Sequence, residues 1–195
     1  MPWSTEQKQM TRERILGSAI KLFSARGFDN VTINNVMQEA QLTHGAFYAH
    51  FSSKNELYTE AITAATKHSI LANAQEEDGC ENLNVSKLIA AYLDIDHVQQ
   101  KAPPCPLAFL ATDVASRDKE VRLAYTKVYK DLIYTLNKQL NHLPSRSERA
   151  LALSALMIGG VAISRALDDE QAVNDLLGAC RKFGTELIDG SDAGT

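Results

Sequence analysis

Residues 32–57 read TINNVMQEAQLTHGAFYAHFSSKNEL. Ile33, Val36, Met37 and Ala40 recur on one helical face, and Thr32 ahead of them is a good N-cap. After a tight break, Thr43 caps a second, shorter helical pattern that runs through about His50. This is the spacing of a helix-turn-helix, in which one helix braces a second in the major groove of DNA. Ser53 and Glu56 then have the spacing of a capping box, so a further helix starts there and continues to about Ala74.

A groove-reading helix needs an apolar core behind it and hydrogen-bonding groups in front. Ile33, Val36, Ala40, Leu42, Phe47, Phe51 and Leu57 supply the core together with Leu22, Phe23 and Phe28. Phe47 and Phe51, four residues apart, share a face and are assigned to it. In front, His44 can donate to a base edge or phosphate, Gly45 lets the backbone approach closely, and Tyr48 can reach a phosphate or a thymine methyl. Thr32 and Thr43 offer hydroxyl and backbone N–H groups at helix N-termini, and Lys54 adds a cation. His50 reads equally as a DNA contact or as a surface cap. His44 and His50, six apart, are poorly spaced to share a metal, and no metal or cofactor is expected.

Outward from this stretch, the 195-residue chain reads as helical throughout. Upstream, Ile15, Ala19, Leu22 and Phe23 form one stripe of a helix from Gln9 to Arg26, ended by Gly27. Downstream, Gln75–Asn82 is a polar loop, and helices follow over about Val85–Gln100, Leu107–Ser116, Asp118–Asn141, Ser145–Leu167 and Glu170–Ile188. Prolines 103, 104, 106 and 144 mark breaks, Ser145 and Glu148 have capping-box spacing, and DGSDAGT is a frayed tail. Caps and periodicity thus give an all-α chain of about nine helices. It divides into a helix-turn-helix head, 1–52, and a helical body, 53–195.

The totals narrow the class. Apolar residues make up 45% and charged residues 23%, ordinary for a globular protein, and no apolar run approaches the roughly 20 residues that span a bilayer. The N-terminus lacks the apolar core of a secretory signal, so a cytoplasmic location is expected. Cys80, Cys105 and Cys180 are odd in number and far apart, which suits reduced thiols. The net charge is −4, yet residues 1–60 balance six cations against six carboxylates, so the excess negative charge lies in the body. A neutral head on an acidic body permits local phosphate contacts while keeping the rest off DNA.

The stretch resembles the N-terminal signature of the TetR family of transcriptional regulators. The residues that carry the resemblance are Thr32-Ile33, Val36, Ala40, Leu42-Thr43, Gly45, Phe47-Tyr48, His50-Phe51, Lys54 and Leu57, with Ile15-Leu16, Ala19, Leu22-Phe23 and Gly27-Phe28 upstream. Met37 stands where the family usually has alanine, and Gln41 where it has the turn glycine. The resemblance implies an all-helical homodimer that binds a palindromic operator. It places Thr32, Thr43, His44, Gly45, Tyr48, His50 and Lys54 at or near the DNA. It also implies a C-terminal domain for an unidentified small-molecule effector, most simply one that releases a repressor.

For the body, residues 151–167, LALSALMIGGVAISRAL, are apolar on nearly all sides, as in a helix buried on several faces. Part of that surface, with the last helix, is assigned to the dimer contact, where Gly159 and Gly160 permit close approach. Tyr92, Phe109, Asp113 and Tyr129 are the candidate effector-binding residues. The segment from Pro103, PPCPLAFLATDVA, is similar to a cysteine-proline-apolar segment of some family members. Cys105 is read as a buried thiol rather than a reactive sensor, because only Lys101 is nearby in sequence to stabilise a thiolate. An enzyme on a helical scaffold is the competing class. It finds no Ser/His/Asp order, phosphate loop or supported carboxylate pair, and Asp168-Asp169-Glu170 reads as a helix cap. A third reading is a binding module whose helix-turn-helix no longer reads DNA.

Overall fold

The computed structural model describes residues 5–78, 83–101 and 104–189, and the described residues are helices joined by short turns. Helix α1 (Thr5–Arg26) buries Ile15, Ala19, Leu22 and Phe23, the stripe read from the sequence, and begins a turn earlier than expected. Gly27 ends it at φ +73°, with its N–H on the Phe23 carbonyl at 2.8 Å. Thr32 caps α2 (Ile33–Glu39) reciprocally: its Oγ1 accepts from Asn35 N at 3.1 Å, and its own N–H donates to Asn35 Oδ1 at 2.9 Å. Asparagine performs here what Glu or Gln does in the usual capping box.

Gln41 ends α2 at φ +55°. Its N–H meets the Gln38 carbonyl and the Leu42 N–H meets Met37 O, the paired bonds of a Schellman turn. A side chain in this left-handed region costs on the order of 1 kcal/mol. Gln41→Gly should therefore raise stability by about 0.5–1 kcal/mol, part of the gain being offset by the freer unfolded chain. Chemical denaturation would show this as a higher midpoint at unchanged slope.

The turn leads into α3 (His44–Phe47), and Ser53 Oγ caps α4 (Lys54–Ala64) by accepting from Glu56 N at 3.0 Å. The return half of that box is displaced by one residue, since the Glu56 carboxylate accepts from Ser52 N. Helix α4 packs on α1 on one side and on α10 (Lys119–Gln139) on the other, which makes it common to head and body.

Three of the nine expected helices are each divided in two. The fourth stops at Ala64, passes through a 3₁₀ turn over Ala65–His68, and restarts as α5 (Ile70–Asp78). Thr66 and Ser69 donate their hydroxyls to the carbonyls three residues back, and Ser69, now extended, caps the new helix at Ala72 N. Such side chains compete with the helical ladder. Helix α5 also takes in Gln75–Asp78, which the sequence assigns to a loop; residues 79–82, including Cys80, lie outside the described residues, as do Pro103 and the tail beyond Asp189. The fifth divides into α6 (Val85–Tyr92) and α7 (Ile95–Val98), because Asp94 caps a new start at Asp96 N. The sixth divides at Leu110 into α8 (Pro106–Phe109) and α9 (Ala111–Val114).

Asp118 caps α10 at Val121 N, and Asp169 caps α12 (Glu170–Asp189) at Gln171 N and Ala172 N, both as expected. The capping box at the start of α11 (Arg146–Ser164) is absent: Ser145 sits at φ +49° and its side chain makes no cap. That left-handed turn takes its hydroxyl away from the helix N–H groups. The chain is held instead by Arg149, whose guanidinium donates to the Pro144 carbonyl. Helix α11 packs against α8, α10 and α12 and buries Leu153, Met157 and Val161 completely. By length and composition it is apolar enough to cross a bilayer, although charged and polar residues interrupt its apolar sequence. Its central place in the body accounts for that composition. The two adjacent glycines differ: a Cβ on Gly160 would come within 2.9 Å of Leu93 Cδ2 and 3.1 Å of Cys180 Sγ, whereas one on Gly159 would meet nothing.

Candidate nucleic-acid interface

Helix α3 is short, and its inner side is set by aromatic packing. Phe47 and Phe51 are buried with their rings stacked at 5.7 Å, and the Phe51 N–H closes onto the Phe47 carbonyl at 3.0 Å. The Arg12 guanidinium lies 4.7 Å from the Phe51 ring centroid and pairs with Glu60, so α1, α3 and α4 are clamped together. Arg14 adds a bond to the Ala40 carbonyl at 2.6 Å, covering the exposed C-terminus of α2. Neither arginine was singled out from the sequence, because both act through long-range contacts.

The outer side of α3 carries Thr43, His44, Gly45 and Tyr48, all exposed. Thr43 stands at the N-cap position with no side-chain cap bond. Tyr48 is 60% exposed, its ring set edge-on between His44 at 5.7 Å and Phe47 at 5.2 Å. A Cβ on Gly45 would meet nothing within 4 Å, so the protein's own packing does not require a glycine there.

The other three candidates sit differently. Thr32 is exposed, but its hydroxyl is engaged in the cap with Asn35. Lys54 holds its ammonium 4.0 Å from the Phe28 ring centroid, and burial moves its pKa down despite the nearby Asp29 carboxylate. His50 is partly buried, with Nδ1 enclosed and unpartnered among the described residues; burial and the neighbouring Lys8 and Arg12 cations push its pKa down. The shift favours the neutral imidazole.

The candidate effector residues do not form one group. A cavity of about 200 Å³ opens between α5, α6, α8, α10 and α11, with Tyr92, Cys105, Leu107, Asp131 and Met157 in its wall. Tyr92 belongs to it, and among the described residues its buried hydroxyl has only the adjacent Cys105 thiol, a poor hydrogen-bond partner. Phe109 instead lies in the core beneath the Arg165 guanidinium at 3.8 Å, Tyr129 is paired with Ser154 at 3.2 Å, and Asp113 faces the head. Asp131, also in the wall, does not stand out from its neighbours in sequence, and Cys105 is read there only as a buried thiol. Burial raises the Cys105 thiol pKa, in keeping with an unreactive buried thiol.

His97 makes the fold sensitive to acid. It is fully buried, and its Nδ1 lies 2.6 Å from the Tyr92 carbonyl, an acceptor, so Nδ1 carries the proton while Nε2 is unpartnered among the described residues. Burial lowers its pKa, as it does that of His50. The unfolded chain therefore binds these protons first, and stability is full above an unfolded value of about 6.5 and declines below it. Melting temperatures should fall between pH 7 and pH 5, and His97→Gln should flatten that slope in a thermal-shift series.

A three-helix head whose last helix turns an exposed polar face outward, above a stacked aromatic base, is the architecture of a helix-turn-helix transcriptional regulator. The family model described as bacterial regulatory proteins, tetR family, matches residues 15–61. The chain is 30% identical over 94 residues to the HTH-type transcriptional regulator SrpR of Pseudomonas putida, covering 48% of this chain and 43% of that one. It is 31% identical over 90 residues to the uncharacterized HTH-type transcriptional regulator TtgW, also of Pseudomonas putida, covering 46% and 66%. The matched stretch spans less than two thirds of either relative. The crystal structure of a TetR transcriptional regulator from Legionella pneumophila shares the fold along almost the whole length, with a TM-score of 0.73 at 20% identity over 96% of this chain and 98% of that one. Residues 15–61 thus carry the helix-turn-helix of the tetR family, in a chain that has the fold of TetR regulators. Its named relatives here are regulators rather than enzymes.

Proposed function

We propose that this protein is a ligand-responsive, sequence-specific DNA-binding regulator, acting as a repressor that a small-molecule effector releases from a palindromic operator. The observation that carries this reading is the outer face of α3. Thr43, His44 and Tyr48 are exposed around a glycine that the fold does not need, which suits close approach to a duplex. Thr32, His50 and Lys54 flank that face as supporting contacts. The head comprises residues 1–52 and the body 53–195, with α4 as the mechanical link between them.

Dimerisation through α11 and α12 is supported by Leu151, Ile163 and Phe183, which are about half exposed, and by the open space outside Gly159 and Gly178. Large apolar side chains beside small residues suit a self-complementary interface. The effector site is the cavity beneath α8, which fits a small, mainly apolar molecule that satisfies the Tyr92 hydroxyl, with Asp131 at the wall favouring a cation over an anion. Its occupation shifts α4, and the two recognition helices lose the spacing of about 34–36 Å that successive major grooves demand. A regulator of this kind works in the cytoplasm.

The test is fluorescence anisotropy with DNA from upstream of the gene, across a salt series. Tight, sequence-selective binding that weakens steeply with salt supports the proposal. Weak binding, equal on every sequence including those enriched from a random pool, would leave the head as a relic, a reading that the strained turn at Gln41 and the neutral charge of the head also fit.

A further inference from the structure

One segment touches both the cavity and the head. At its start, Cys105, Pro106 and Leu107 line the cavity. From there the backbone bonds follow one another: Phe109 N to Cys105 O, Leu110 N to Pro106 O, Val114 N to Leu110 O and Arg117 N to Val114 O, all between 2.8 and 3.1 Å. Tyr125 ties the start to α10 by donating to the Leu107 carbonyl at 2.7 Å. A strut built in this way moves as a piece, because packed, hydrogen-bonded backbone does not deform continuously.

At the far end the strut grips the head. The Asp113 carboxylate accepts from the Tyr58 hydroxyl of α4 and from the Phe28 N–H at 3.3 Å, in the turn between α1 and α2. Arg117 forks onto Asp29 of the same turn, with Nη1 to Oδ1 at 3.0 Å and Nη2 to Oδ2 at 2.6 Å, and its guanidinium lies 4.8 Å from the Phe28 ring centroid. Its Nε also donates to the Asp113 carbonyl at 3.2 Å. The Asp113 and Arg117 side chains are only 17% and 16% exposed. Bidentate pairing fixes direction as well as distance. The turn so held leads straight into the Thr32 cap and α2, and so sets how the helix-turn-helix sits on the body.

We infer that Asp113 and Arg117 are positioning residues that carry the state of the cavity to the head, through the strut from Cys105 to Arg117 and the Asp29 fork. This rests on the cavity being the control site, and it adds to α4 a second connection that enters the head at the opposite end of α2. A molecule entering the cavity bears on Pro106 and Leu107, the strut shifts, and the grip on Phe28 and Asp29 turns the head.

The experiment is a double-mutant cycle in the full chain. Ala72→Phe adds a ring to the cavity from α5 and stands in for an effector. Asp29→Asn breaks the fork at a side chain that is 70% exposed, where folding is least affected, and Asp29→Glu is the conservative control. Affinity is read on a duplex selected from random sequence, and hydrogen exchange of the Phe28 amide is read by NMR without DNA. Ala72→Phe should weaken DNA binding at least tenfold and change Phe28 exchange, both effects shrinking to less than twofold when Asp29→Asn is present and returning with Asp29→Glu. Equal effects in all backgrounds would overturn the inference and leave α4 as the route. An unchanged Phe28 amide in the Ala72→Phe chain would also overturn it. If no duplex is bound, the functional reading fails, while the exchange result still decides the coupling.

Discussion

Phe183→Glu is expected to convert the protein to a monomer and to lower its affinity for a palindromic duplex by at least a hundredfold. Phe183 is 54% exposed on α12, which packs against α11, where Leu151 and Ile163 are also about half exposed. Burying a phenylalanine contributes about 1.5–3 kcal/mol, and a two-fold interface uses it twice. The substitution removes both contributions and sets two carboxylates in the interface, where unpaired charge costs several kcal/mol more. Loss of the second head then removes the effective concentration that joins two half-site contacts, a factor of about 10²–10⁴. Sedimentation velocity reads the first effect and anisotropy the second. Tyr134→Glu is the control, since Tyr134 is 73% exposed on α10, outside the two helices assigned to the interface, and should leave both unchanged. A dimer that persists in Phe183→Glu would move the interface elsewhere.

Tyr48→Ala and Gly45→Ala should each reduce specific binding by about ten- to a hundredfold, the equivalent of roughly 1–3 kcal/mol for a groove contact. What separates a reading role from a structural one is the effect on folding. Tyr48 is mostly in solvent, so its truncation should barely move the melting temperature. Gly45 is helical with open space around it, so alanine should raise stability, by up to about 1 kcal/mol. A variant that is more stable yet binds less well has lost something the protein needs only outside itself. If Gly45→Ala bound as tightly as the parent, close backbone approach at that position would be refuted.

The sequence was most legible where causes are local. The α1 stripe, the caps at Thr32, Asp118 and Asp169, the glycine stop at residue 27 and the aromatic base of α3 depend on neighbours a few residues away. The breaks at Ser69, Asp94 and Leu110 were not read, because continuous apolar periodicity hid them. Ser145 and Glu148 showed the right spacing for a cap, but the backbone at Ser145 turned left-handed and removed the geometry. The candidate effector site was the least legible part. Tyr92 was named, whereas Phe109, Asp113 and Tyr129 had suitable chemistry but found partners in Arg165, the Phe28 amide and Ser154. Those partners lie between 25 and 85 residues away along the chain for Tyr129 and Asp113, beyond any local pattern.

The cavity wall begins at Thr66 and draws nothing from α1 to α4. Substitutions that reshape it therefore leave the residues on the outer face of α3 unchanged, and changes at His44 or Tyr48 leave the residues of the cavity wall unchanged. What such a protein detects and which promoter it addresses can drift on separate evolutionary clocks. A lineage could exchange its chemical signal without rewiring its target genes, or move to a new promoter while answering the same compound. The slowest-changing residues would then be those that belong to neither specificity, the Asp113, Arg117 and Asp29 contacts, where a change on one side is useful only if its counterpart changes as well.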